Sequence, residues 1–388
     1  MVRDPIRAFV ASAVGASVVL LGALAHADDL KFGIHAEATG YKDTDATNVI
    51  TPAINLNVQG VTGGWQVGAG LLVDVVTAAS TDIVATASPR WTDIRYVPTI
   101  NAQFKISDVT LHFGGAGSIE SDYYAGSGSA SISFDLAQKT ITPSFGYSFG
   151  YDIAGRRGTP LDVYSLEVMR HAFSAAISFV INKSTIFVPS FDAVVELGDQ
   201  EKPYRYLPTF APDTTISAGA TREEVDAQRT SVKLNENSPD LRARYALSGL
   251  IAHRFDQATL RLEERLYIDS WYLMATTTDF MLPVDVHENV RLWPHLRFHA
   301  QKGVAFWEAA YIIDENAQGQ VVAPQLRVGD RELGPLLSAT GGAGIRIGNE
   351  NVGVTFSADV VYTRFLDHLY IQNRVAGFGG LVLDVEAP

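Results

Sequence analysis

The sequence predicts an all-β fold: a transmembrane, antiparallel, up-and-down barrel of about 16 strands. Three observations predict it. Polar and apolar residues alternate with a period of two over segments of about ten residues or more. The connections between those segments alternate between short turns and longer loops. An export leader comes first, and no later apolar run reaches the ~18 residues that a membrane helix needs.

The alternation is clearest over residues 240–300. Leu260, Leu262, Leu266 and Ile268 share one parity, and Arg261, Glu263, Arg265, Tyr267 and Asp269 share the other. Successive side chains of a strand point to opposite faces, so one face is aliphatic and its opposite charged. Tyr245, Leu247 and Ile251 oppose Arg242, Arg244 and Arg254 in the preceding segment. Val290, Leu292, Leu296 and Phe298 oppose Arg291, Trp293, His295, Arg297 and His299 in a later one. Leu, Glu and Arg also favour helix, and Glu263-Glu264 lies at the centre of the stretch. At helical spacing, however, the four aliphatic residues scatter around the cylinder and form no stripe, so the strand reading prevails. Lipid offers no partner for backbone groups, so a sheet can span it only when closed. The aliphatic parity then faces lipid and the charged parity a lumen.

From the N-terminus, Arg3 and Arg7 precede an apolar run from Ala8 to Leu24 and the motif Ala25-His26-Ala27. This is the pattern of a secretory leader cleaved after Ala27, which leaves one domain, 28–388. The chain has no cysteine, which excludes disulfides, thiolate metal sites and thioether-linked haem. Its net charge of −13 becomes −14 once Arg3, Asp4 and Arg7 are removed, which argues against nucleic acid as a partner.

The strands then follow in order. Leu30–Tyr41, Val49–Val58 and Trp65–Thr77 come first, with Gly60–Gly64 as a tight turn. Trp91–Lys105 and Asp108–Asp122 turn at Ile106-Ser107; Gly128–Leu136 and Thr140–Asp152 turn at Gln138-Lys139. His171–Ile181 and Thr185–Leu197 precede the longest loop, Gly198–Pro239. Asp240–Arg254, Ala258–Trp271, Ala275–Val286 and Asn289–Gln301 come next, then the loop Lys302–Pro335. Leu336–Gly348, Val352–Phe365 and Arg374–Asp384 complete an even count of 16, as a barrel with both termini on one side requires. Tyr41, Trp65, Trp91, Tyr151, Trp271 and Tyr362 fall near strand ends, where interfacial girdles sit.

The candidate site is a ladder of charge on the lumen parity: Arg242, Arg244, Arg261, Glu263, Arg265, Asp269, Asp279, Asp285, Arg291 and Arg297. In a narrow aqueous pore such charges bias which ions pass; in a small lumen they serve equally as polar filling. Counted strand by strand, arginines exceed acids, which predicts a locally positive wall that favours anions. Pro203, Tyr204 and Arg205 in the longest loop are a candidate constriction if that loop folds inward. His295 and His299 share the lumen parity but lie roughly 13 Å apart along a strand, too far to hold one metal. Asp285 and His287 fall at the short-turn rim, and no Gly-x-Ser-x-Gly elbow or phosphate-cradling loop occurs. Gly341-Gly342-Ala343-Gly344 lies inside a strand, where small residues relieve crowding. The residues therefore indicate no metal, no cofactor and no enzyme.

Several blocks resemble a bacterial family catalogued as a domain of unknown function, number 3570, regarded as outer-membrane barrels. They are Leu72-Val73-Asp74-Val75-Val76-Thr77-Ala78-Ala79-Ser80, then Ala87-Ser88-Pro89-Arg90-Trp91 with Arg95, then Glu120-Ser121-Asp122-Tyr123. Lys202-Pro203-Tyr204-Arg205-Tyr206-Leu207-Pro208 and Leu266-Tyr267-Ile268-Asp269-Ser270-Trp271 follow. The chain departs from the pattern at its Leu383-Asp384-Val385-Glu386-Ala387-Pro388 ending, which lacks the aromatic terminus, and at Ala78-Ala79-Ser80, which lacks a glycine. The resemblance implies an outer-membrane barrel. It also implies proximity to periplasmic flavin-transfer proteins, hence a redox partner as one option.

Two functions are thus expected: a passive or gated channel for small polar or ionic solutes, or a non-conducting barrel that scaffolds a periplasmic or surface partner. A barrel hydrolase stands third.

Overall fold

In a computed structural model, which describes residues 30–78, 91–315, 318 and 321–387, the chain forms one closed antiparallel wall. The expected leader, the stretch 79–90 and the last residue lie outside the described residues. The barrel strands are β1 (Leu30–Asp43), β2 (Asn48–Gly60), β3 (Trp65–Ala78), β4 (Trp91–Ile106), β5 (Val109–Ile119), β6 (Tyr123–Phe134), β7 (Ile141–Ala154) and β8 (Leu166–Asn182). They continue as β9 (Thr185–Gly198), β10 (Leu241–Arg254), β11 (Thr259–Asp269), β12 (Met274–Met281 with Val284–His287), β13 (Val290–Lys302), β14 (Leu336–Gly348), β15 (Val352–Phe365) and β16 (Asn373–Ala387). Each pairs with its neighbours in sequence, and β1 meets β16 from Phe32↔Ala387 to Asp43↔Ala376. That last seam closes the barrel at 16 strands.

The expected strands are all present, and the differences from them are local. The sequence reading begins β6 at Gly128 and β8 at His171; the strands begin at Tyr123 and Leu166 instead. Glycines in a strand resemble a turn when no side-chain period can be followed through them, and Gly126 and Gly128 both sit inside the β6 ladder. β12 breaks at Leu282-Pro283, where proline has no N–H to donate. The wall is kept continuous there by Thr259 N–H donating to Pro283 O (2.8 Å) and Leu282 N–H donating to Pro294 O (3.2 Å).

The apolar parity points outward as predicted. Leu247, Leu266, Phe298, Phe356 and Val360 are all half exposed or more to the barrel's surroundings, the condition for a lipid-facing wall. Fully buried apolar residues instead concentrate beyond the strand ends. Phe210, Ala220, Val225 and Leu369 form one cluster, and Trp271, Leu273, Val304 and Val328 another. These draw on four connections, 199–240, 270–273, 303–335 and 366–372, all at the same end of the barrel. Thr209–Phe210 pairs in parallel with Tyr311–Ile312, and α1 (Arg222–Gln228) is started by a Thr221/Glu224 capping box. The molecule therefore has an apolar-outside wall and an apolar-inside dome.

Glu264 departs from the outward apolar pattern. It lies at the middle of β11, on the parity of Leu262 and Leu266, where the sequence pattern asks for an aliphatic residue. Its carboxylate accepts hydrogen bonds from the Thr278 hydroxyl (2.6 Å) and the Thr276 hydroxyl on the adjacent strand. An acidic group at this depth costs less than a basic one but remains unfavourable. Glu264→Leu should stabilise the barrel in phospholipid by on the order of 1 kcal/mol, measured by denaturant unfolding in vesicles.

Candidate functional site

Cross-strand neighbours in a sheet sit about 5 Å apart, so lumen-facing charges of adjacent strands meet directly. Asp269, at the end of β11, is the most heavily engaged. Its Oδ2 accepts from Arg242 Nε (2.9 Å), Arg242 Nη2 (2.5 Å) and Tyr267 OH (3.1 Å). Its Oδ1 accepts from the backbone N–H groups of Trp271 (2.9 Å) and Leu273 (3.0 Å). The side chain is 0% exposed, and the Arg242 guanidinium lies 4.4 Å over the Trp271 ring. Asp269 thus joins the lumen wall to the turn after β11 and to the apolar cluster around Trp271.

The other arginines are mostly paired too, by acids of β9 that the sequence reading left out and by Asp279 and Asp285 of β12, which it included. Arg244 reaches Glu196 of β9, which also takes Arg170 Nε of β8 at 2.9 Å. Arg265 Nη1 lies 3.2 Å from Asp192 of β9. Asp285 is shared by Arg291 (2.6 Å) and Arg254 (2.7 Å). Asp279 meets Arg297 loosely (3.7 Å) and His295 Nε2 at 3.1 Å, and His295 Nδ1 contacts Asp359 at 2.7 Å. Arg261 and Glu263 have no ion-pair partner among the described residues. Five of the six arginines on the ladder are therefore paired, and the expected locally positive wall is corrected to a salt-bridged one with local excesses. The physical reason is that every strand has two neighbours, so acids on β9 and β12 compensate arginines on β10, β11 and β13.

The wall is also uneven in size. On β5 to β8 the lumen parity carries Gly114, Ala116, Ser127, Ser129, Ser131, Ser144, Gly146, Ser148, Ala172 and Ser174. The larger lumen charges lie mostly on the remaining strands, with Arg170 of β8 and Asp152 of β7, 3.2 Å apart, as an ion pair within this sector. The glycines of β14 do relieve crowding: a Cβ on Gly342 would fall 2.0 Å from Asp359 Oδ1, and one on Gly344 2.1 Å from the Trp293 indole.

Pro203, Tyr204 and Arg205 are not brought into the lumen ladder; they fasten loops. Tyr204 OH donates to Asp122, and Arg156 Nε donates to Pro203 O at 2.8 Å. Arg205 Nη1 bridges Glu236 (3.6 Å) and Asp330 (3.1 Å). The segment that faces the lumen is the 3-10 turn Arg331–Leu333, from the other long loop. Glu332 and Leu333 line a cavity of about 650 Å³ together with Arg297, His299 and Arg374, and Arg374 Nη1 holds Glu332 at 3.0 Å. Gln301 Nε2 donates to the Glu332 and Gly334 carbonyls at 2.8 Å each. The lumen-side groups the sequence reading missed, Asp74, Asp192, Glu196 and Asp384, all lie at lumen parity in strands it had found; following the parity through every strand would have located them.

Geometry of this kind defines a transmembrane β-barrel: a closed wall, apolar outside, with ion pairs lining the interior. The family model described as "Protein of unknown function (DUF3570)" matches residues 170–360, confirming the family that the sequence blocks resemble. Two of those blocks, 202–208 and 266–271, lie inside the matched span. Among solved structures, the chain is similar to CdiB from Acinetobacter baumannii (9% identity, TM-score 0.47, 93% of this chain and 60% of that one). It is similar also to a bacterial polysaccharide outer membrane secretin (8% identity, TM-score 0.48, 91% and 97% coverage). A third is OccK5 (OpdH) from Pseudomonas aeruginosa (10% identity, TM-score 0.41, 93% and 99% coverage). No curated protein matches the sequence.

Two outcomes are expected from these contacts. Asp269→Ala should cost about 3 kcal/mol or more, because it strands a buried guanidinium and two N–H groups, whereas Arg261→Ser should change stability by about 0.5 kcal/mol or less. Denaturant midpoints of the two variants in lipid compare them directly.

Asp330, in the dome, has its carboxyl held below the ordinary range. Burial alone would raise it, but the Arg205 guanidinium and the Glu332 N–H outweigh that. A depressed folded value means that Asp330 contributes fully above a pH of about 4 and loses its contribution as pH falls through the lower folded value. Trp307 Nε1 donates to Asp330 O (3.2 Å), so its fluorescence reports on this contact. The signal should change on acidification below about pH 4. In Arg205→Gln the dome should be looser at neutral pH, with that acid response flattened.

Proposed function

We propose that the chain is an outer-membrane channel for small polar or ionic solutes, passing along its lumen. The observation that carries this is the width and lining of the wall. At ordinary tilt 16 strands enclose a lumen on the order of 30 Å across between backbones, and barrels of this size leave an aqueous path. Side chains fill it unevenly, with mostly serine and glycine on β5 to β8 and most of the ion pairs on the other strands. The solute is admitted through the dome end, where Arg331–Leu333 roofs part of the mouth. The lumen carboxylates are mostly engaged by guanidiniums and hydroxyls, so the barrel is read as electrostatic lining and not as an enzyme.

A second reading has one observation in its favour. The dome has its own apolar clusters and spans four connections, more order than a passive mouth requires, and that suits a barrel that scaffolds a periplasmic or surface partner.

Planar-bilayer recording separates the two. Discrete openings are expected for the channel; a silent barrel that co-purifies with a partner supports the scaffold. Arg261 is the one ladder arginine without a counter-ion among the described residues, so Arg261→Ser should move the reversal potential toward cations. An unmoved potential would assign Arg261 to packing.

A further inference from the structure

Two cavities of similar size lie side by side in the long-loop half of the lumen. One, of about 610 Å³, is lined by the carboxylates of Asp74, Asp93 and Glu120 against a single guanidinium, Arg95. The other, of about 650 Å³, is lined by Arg242, Arg265, Arg297 and Arg374, with Glu332 as the acid on its own side. Both include Tyr41, Phe378 and Asp359, so they meet there. The Tyr41 and Phe378 rings are themselves in contact, with centroids 4.8 Å apart. An acidic chamber and a basic chamber thus adjoin across an aromatic pair.

The groups on each side retain bonding capacity. Arg95 is committed to Asp74, through Nε at 2.8 Å and a second contact from Nη2, so it does not neutralise the other two acids. The Glu120 carboxylate has no hydrogen-bond or ion-pair partner among the described residues. In the basic chamber Arg265 contacts Asp192 through Nη1 alone, and Arg297 meets Asp279 at a loose 3.7 Å. A guanidinium carries five N–H donors in a planar fork, so each keeps a free edge toward the cavity.

We propose that this vestibule selects zwitterionic solutes. The ammonium of the solute lies toward Asp93 and Glu120, its carboxylate toward Arg265 and Arg297, and its apolar body against Tyr41 and Phe378. The inference rests on the channel reading and narrows it to a solute class. It differs from the anion preference read off the arginine ladder, because a solute with one charge gains from one chamber and is opposed by its neighbour. A solute with both charges gains from each.

The test uses four probes of nearly equal size in swelling of proteoliposomes at about pH 6, where an α-amine is protonated. Leucine carries both charges, N-acetylleucine the negative one, leucinamide the positive one and N-acetylleucinamide neither. Leucine should enter faster than each of the others by roughly threefold or more. Glu120→Gln should slow leucine and leucinamide while leaving N-acetylleucine unchanged or faster. Arg297→Gln should slow leucine and N-acetylleucine instead. Equal rates for all four probes, or N-acetylleucine as the fastest, overturn the zwitterion inference while leaving a channel. No swelling with any probe, from a barrel shown to be folded by its heat-dependent gel mobility, overturns the channel reading and this inference with it.

Discussion

Everything in this structure depends on the seam between β1 and β16. An open sheet in lipid would leave a row of N–H and C=O groups on each edge with no partner, at a cost of several kcal/mol for each group. Pairing from Phe32↔Ala387 to Asp43↔Ala376 removes both edges. Once the wall is closed the two parities of every strand acquire fixed meanings, one lipid and one lumen. The apolar-outside pattern, the cross-strand ion pairs and the serine–glycine sector are consequences of that closure. The break in β12 is tolerated because Pro283 O still accepts from Thr259 N–H and Leu282 N–H still donates to Pro294 O across it.

Inside the wall, charge is organised around the strand rather than the residue. Glu196 serves Arg170 and Arg244, Asp285 serves Arg254 and Arg291, and Asp269 fastens both Arg242 and a turn. Glu196 and Asp285 each sit between two bases from different strands, whereas Asp269 joins one base to backbone N–H groups. Lumen side chains still reach water, so most of these pairs are screened and individually weak; the buried carboxylates of Asp269 and Glu196 are the exceptions. Local excess charge survives where a chamber collects several like groups.

The wall was legible because strand parity is a short-range signal with a period of two, carried by side chains such as Leu260 to Asp269. Where side chains vanish the signal vanishes, so the glycines of β6 concealed its first turn of ladder. Partner acids were missed for a different reason. Pairing Arg265 with Asp192 joins residues far apart in sequence, and no local pattern reports which strands become neighbours around a barrel beyond the hairpins. Glu264 was visible as a residue but not as an exception, since its meaning depends on the Thr276 and Thr278 hydroxyls that face it. The dome was harder still. Phe210, Val225 and Leu369 lie in three separate stretches, and only the completed barrel brings them together.

That last dependence sets an order of events. The cluster around Phe210 needs Leu369, which lies between β15 and β16, so it cannot assemble until the chain is almost fully laid down. The turn at Arg331–Leu333 is likewise held by Arg374 of the final strand. A nascent barrel still lacking its closing strand therefore has an unroofed mouth and exposed apolar loops, whereas a finished one has neither. The dome serves as a built-in mark of completed insertion, and surveillance that recognises exposed apolar loop surface has in it a feature by which to tell the two apart.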